Sequence, residues 1–101
     1  MEFDQLRQMP HSIEAEQSVI GSMIVNPACV DTVIGMLKPQ HFYVAKYAQV
    51  YEAILAMSMD NRQIDFVTVL DEVQKLGIYD EAEGKKVLYD LAQMVPTTAN
   101  V

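Results

Sequence analysis

The sequence is poor in basic charge. Seven Lys and Arg residues stand against fourteen Asp and Glu, a formal balance of −7. The seven (Arg7, Lys38, Lys46, Arg62, Lys75, Lys85, Lys86) are scattered, and only Lys85 and Lys86 are adjacent. A phosphate backbone is bound by clustered Lys and Arg that release counterions. Direct nucleic-acid binding by this domain is therefore not expected. The acidic balance serves solubility in the plain reading and a basic protein partner in the functional one.

Glycine is scarcer still. Gly21, Gly35, Gly77 and Gly84 fall in neither G-x-x-x-x-G-K-[ST] nor G-x-G-x-x-G spacing, so no phosphate-cradling loop is expected. The single Cys29 excludes an internal disulfide and fits a reducing compartment. His11 and His41 lie thirty residues apart, and Cys29 has no C-x-x-C partner; no metal site is expected. Asp80, Glu81 and Glu83 lack the residue order of a calcium loop and read as a solvated acidic turn. Cys29 lies in apolar "PACV" and reads as a small buried side chain rather than a nucleophile. Asp71 and Glu72 are neighbours on one helix, so they diverge around it and do not form a catalytic pair. No cofactor and no catalytic residue is expected in these 101 residues.

Long apolar runs are missing too. None approaches the ~18–20 residues that span a bilayer, and "MEFDQLRQ" lacks the basic-then-apolar order of a signal peptide. The expectation is a cytoplasmic protein without a membrane partner. Half the residues are hydrophobic, enough for one core that removes roughly two-thirds of the unfolded surface from water.

What is present is helical periodicity. In "MPHSIEAEQSVIGSMIV" (9–25), Pro10 halts the preceding chain, Ser12 can cap, and Glu14 and Glu16 occupy the first turn. Ala15, Val19, Ile20, Met23 and Ile24 then form one stripe. Gly21 inside it costs roughly 1 kcal/mol against Ala, which points to a close helix–helix approach. A short second helix carries Val30, Val33, Ile34 and Leu37 between Pro27 and Pro39. A third, about Ala45 to Met59, places Tyr47, Tyr51, Ile54, Leu55 and Ser58 on one face.

The fourth helix starts at Asp65 as N-cap, with Ile64 and Val69 as a hydrophobic staple and Val69, Leu70, Val73 and Leu76 facing inward. Gly77 sits where a terminating glycine belongs, and Ile78 can close back on Val73. "YDEAEG" (79–84) reads as an acidic loop before a fifth helix, about Lys85 to Met94, with Val87, Leu88, Leu91 and Val95 inward. No segment sustains period-two alternation. The fold class is all-α, a small bundle of five or six helices. Pro96 closes the fifth helix, and "TTANV" then offers two Thr caps with no helix behind them; the expectation is a piece of a longer protein.

Aromatic residues give the remaining signals. Tyr43, Tyr47 and Tyr51 recur at helical spacing, but without flanking basic residues they read as core packing with hydroxyls at the rim, not as a stacking platform. Met23 and Met94 lie on or near apolar faces, and Met57 and Met59 flank a helix end. Tyr89 points away from the Val87, Leu88 and Leu91 face and is expected to be exposed, as interface tyrosines are. Exposure and chemistry make Glu14, Glu16 and Tyr89 the candidate partner contacts.

Four stretches in order carry a resemblance: "PHSIEAEQSVIGSMI" (10–24), "HFYVAKYAQVYEAI" (41–54), "IDFVTVLDEV" (64–73) with the "LG" end at 76–77, and "VPTTANV" (95–101). Together they resemble the N-terminal domain of the bacterial replicative DNA helicase, the DnaB-like hexameric family, over about Pro10 to Val101. Departures are Tyr47, where the family often has histidine, and Glu83-Gly84 with Val87-Leu88, where it tends to have a glycine pair followed by Tyr-Leu. These bear on partner specificity.

The resemblance implies an N-terminal tail (1–9) and a helical domain (10–101) cut before a helical hairpin. That hairpin and a linker would lead to a RecA-like ATPase motor, which would hold ATP and Mg. It implies a non-catalytic scaffold that pairs as dimers, forms the collar of a hexameric ring, and docks the C-terminal domain of primase. A helicase loader is a further possible partner. The replisome in the bacterial cytoplasm is the implied setting. The alternative is a free-standing helical adaptor for a replication or loader protein; an all-α enzyme and a DNA-binding module are the readings from other classes.

Overall fold

The computed structural model describes residues 13–95. Pro10, His11, the Ser12 cap, Pro96 and the Thr caps beyond it lie outside those residues.

Among the described residues five α-helices follow one another: α1 (Ile13–Val25), α2 (Val30–Met36), α3 (Ala45–Met59), α4 (Phe66–Lys75) and α5 (Glu81–Gln93). Two 3₁₀ turns, Pro27–Cys29 and Pro39–His41, lead into α2 and follow it. Each of the two opens on a proline, whose missing N–H and fixed φ suit a first helical position. No strand occurs among the described residues. The all-α class expected from periodicity is the one observed.

The core forms where the apolar stripes meet. Ile20, Met23 and Ile24 of α1 are buried and Val19 is half-buried, as the stripe predicts. Ala15 is exposed instead, like Ile13 and Glu14 beside it in the first turn. On α3 the buried face is Val50, Tyr51, Ala53, Ile54 and Met57, while Leu55 and Ser58 are only half-buried. The expected stripe is rotated by about one position, since α3 is covered by α1, α2 and α4 together rather than by a single neighbour.

Gly21 is the contact point of α1 and α5. A Cβ there would fall onto the carbonyl oxygen of Leu91 and lie 2.8 Å from its carbon. The Ser18 hydroxyl adds a hydrogen bond to the Met94 carbonyl at 3.0 Å. This both joins the helices and satisfies an end carbonyl of α5.

The bounds of α4 follow from its sequence. The Asp65 carboxylate accepts the Thr68 N–H at 2.8 Å, and Thr68 Oγ1 accepts the Asp65 N–H at 2.8 Å. This reciprocal pair is a capping box built with threonine. At the other end Gly77 has φ of +75°. Ile78 N–H bonds the Val73 carbonyl and Gly77 N–H the Gln74 carbonyl, the Schellman pattern. Leu76, expected inward, is exposed because it is the last residue before that reversal.

The acidic loop expected at 79–84 is a correction. Helix α5 begins at Glu81, and Asp80 caps it by accepting the Glu83 N–H at 2.7 Å. Carboxylates are favoured in a first turn by the positive end of the helix, so a run that reads as a loop winds into helix. Tyr79, the first residue of that run, is buried.

Candidate interaction surface

Glu14, Glu16 and Tyr89 do not form one cluster. Glu14 is exposed on the first turn of α1. Glu16, half-buried in the same turn, faces the entry to α3: its two carboxylate oxygens accept the Tyr43 N–H at 2.7 Å and the Val44 N–H at 3.2 Å. It therefore caps α3 from another helix, where Val44 has no side-chain oxygen to do so. Tyr89 is 59% exposed on the outer face of α5, beside an ion pair between Lys86 and Asp90 at 3.3 Å.

The tyrosine series divides. Tyr51 is fully buried and donates its hydroxyl to the Leu37 carbonyl at 2.7 Å, at the end of α2; burial raises its pKa. Tyr47 is half-buried and accepts a hydrogen bond from Gln17 at 2.9 Å. Tyr43 is exposed. The series therefore runs from core to surface along its spacing.

Among the described residues, no group of three His, Cys, Asp or Glu is placed to hold a metal ion. His41 Nδ1 accepts the Lys38 N–H at 3.0 Å. Burial pushes the half-buried Cys29 thiol up from its ordinary pKa, the reverse of what activates a nucleophile. Asp71 is exposed and Glu72 buried, so the adjacent carboxylates do diverge.

Glu72 also belongs to a feature the sequence reading missed. It is 7% exposed and pairs with Arg62 of the α3–α4 loop at 2.7 Å. The signal was present in the helical register, since position 72 shares the inner face with Val69 and Val73. A carboxylate on such a face needs a cation. Lys46 makes a second unforeseen tie, donating to the Ile78 carbonyl and standing 5.0 Å over the Tyr79 ring.

No single helix among the described residues is long and apolar enough to cross a membrane. The surface is that of a packed bundle with charged and aromatic side chains on its outer faces. Its relatives give it a family.

A family model described as the DnaB-like helicase N terminal domain matches residues 8–101. The replicative DNA helicase DnaB of Leifsonia xyli subsp. xyli is 38% identical over 94 residues, 93% of this chain and 21% of that protein. The replicative DNA helicase DnaC of Bacillus subtilis is 34% identical over 95 residues, 94% of this chain and 21% of that protein. This chain thus spans about a fifth of the length of these curated relatives. The crystal structure of the N-terminal domain of DnaB helicase from Mycobacterium tuberculosis superposes with a TM-score of 0.81 at 35% identity, covering 92% of this chain and 67% of that one. Sequence and fold agree, and the chain belongs to the DnaB-like helicase N-terminal domain family.

Proposed function

We propose that this chain is the scaffold domain of a replicative DNA helicase, helping to order a hexamer collar and docking the C-terminal domain of primase. The observation that carries this reading is the match of both sequence and fold to DnaB N-terminal domains over more than nine-tenths of the chain. Chemistry would reside elsewhere in such a helicase, with ATP and Mg held by a motor domain that follows a hairpin and linker. The setting would be the replisome in the cytoplasm, with a loader as a further partner.

Glu14 and Tyr89 are the outward-facing members of the candidate contact set. Tyr89 suits an anchor, being a large, rigid side chain on a helix. Glu16 supports the surface by holding the start of α3.

Calorimetric titration of this chain with the C-terminal domain of its own organism's primase, at two salt concentrations, tests the proposal. Saturable binding supports the docking role. Absence of binding both here and with a chain extended through the hairpin would overturn it.

A further inference from the structure

Two open clefts meet at Arg62 in the α3–α4 loop. Pro27, Asp31 and Ser58 line one, and Ala56, Met59 and Asp60 line the other. Met59 is 78% exposed, the most exposed of the large hydrophobic residues described. Ala56, one turn earlier on α3, is exposed beside it. An apolar groove lip is thus left in water at the end of a core helix.

The charge around this lip is predominantly negative. The Arg62 guanidinium is committed through Nη2 to Glu72. Asp31 and Arg62 both line one cleft, Asp60 lines the other, and Asp60 and Asp71 both lie close enough for their charges to act on Arg62. Four carboxylates (Asp31, Asp60, Asp71, Glu72) against one guanidinium leave a local balance of −3.

Backbone dipoles add to it. Helix α3 ends at Met59 and α1 at Val25, just before Pro27, and neither has a basic residue in its last turn. Each such end carries a partial negative charge of roughly half a unit. Asp60 sits directly on the end of α3, where its charge and the dipole repel. The acids at Asp80, Glu81 and Glu83 differ, because they sit on the positive end of α5. Helix capping accounts for those and not for Asp60.

We propose that this face docks a basic, apolar segment of another protein. One apolar side chain rests on Met59 and Ala56, and Lys or Arg side chains reach Asp60, Asp71 and Asp31. Charge complementarity selects this occupant, since an acidic segment would be repelled by the local excess. A bare cation is not favoured, because no three ligands converge among the described residues. The inference concerns a different face from Tyr89 and does not depend on which protein binds there.

The test is an NMR titration of the isotopically labelled chain with a short amidated leucine–lysine peptide. Shifts confined to residues 25–31, 56–62 and the turn of α4 around Asp71, weakening as salt rises, are expected. Replacing Asp60 and Asp71 with Asn should weaken the affinity roughly fivefold, as expected for two exposed charge pairs. Replacing Met59 with Ser should weaken it further. All three side chains are exposed, so the variants should keep the native spectrum. Shifts spread equally over the acidic turn at 80–83, affinity unchanged in the Asn variant, or no shifts at all would each overturn the proposal.

Discussion

Single residues set the ends of α4, and two of them make opposite demands on the backbone and on protons. Gly77 holds φ of +75° with no atom within 4 Å of where a Cβ would be. Substitution there is opposed by conformation alone. Gly77→Ala should cost about 1 kcal/mol. Gly35 lies within α2, also in open space but without a positive φ; Gly35→Ala should stabilise by roughly 0.5–1 kcal/mol. Urea midpoints of the two variants should therefore move in opposite directions.

Asp65 acts through its charge. The Thr68 amide, with further help from Gln63 and Val67, holds its carboxyl below the ordinary value of 3.8. A depressed folded pKa means the cap's stabilisation is fully present above the ordinary value and is lost as pH falls through the folded one. Asp65→Asn keeps an oxygen acceptor but does not titrate there. The variant should lose less stability than the wild type between neutral pH and pH values below 3.8, followed by thermal melting.

At the scale of elements, the helices are tied by side chains that satisfy another helix's end. Glu16 of α1 serves the amides at the start of α3, and Tyr51 of α3 serves the carbonyl that ends α2. Glu16→Ala should leave those amides to water and cost about 1 kcal/mol. Hydrogen exchange should show lost protection at Tyr43 and Val44 before any change in α5. Tyr51→Phe keeps the ring contact with Phe42, centroids 4.9 Å apart, and removes only the hydroxyl. A loss of about 1 kcal/mol is expected, more if the Leu37 carbonyl is left without a partner.

For the molecule as a whole, the outer face of α5 is separate from the face that builds the core. Tyr89 is exposed on α5 while Leu88 and Leu91 beside it are buried. Tyr89→Ala should therefore change unfolding free energy by no more than about 0.5 kcal/mol. If the primase reading holds, the same variant should weaken that binding several-fold in the calorimeter. Unchanged binding would remove Tyr89 from the contact set.

The sequence by itself determined the elements whose signals are local. Periodicity and capping located the five helices of the described residues, the ends of α3 and α4, and the need for a glycine at 77, because helix bounds are decided within a few residues of chain. It missed where α5 begins, since an acidic run is compatible with a loop and with a capped first turn. Only the tertiary structure decided which neighbour a side chain serves. The turn of α3's buried face depends on the other helices, and the pairing of Glu72 with Arg62 and the use of Glu16 as a cap for α3 depend on residues 10 and 28 positions away. Contacts at that separation exist only once the helices have packed, so a local pattern can mark Glu72 as needing a cation but cannot name the partner.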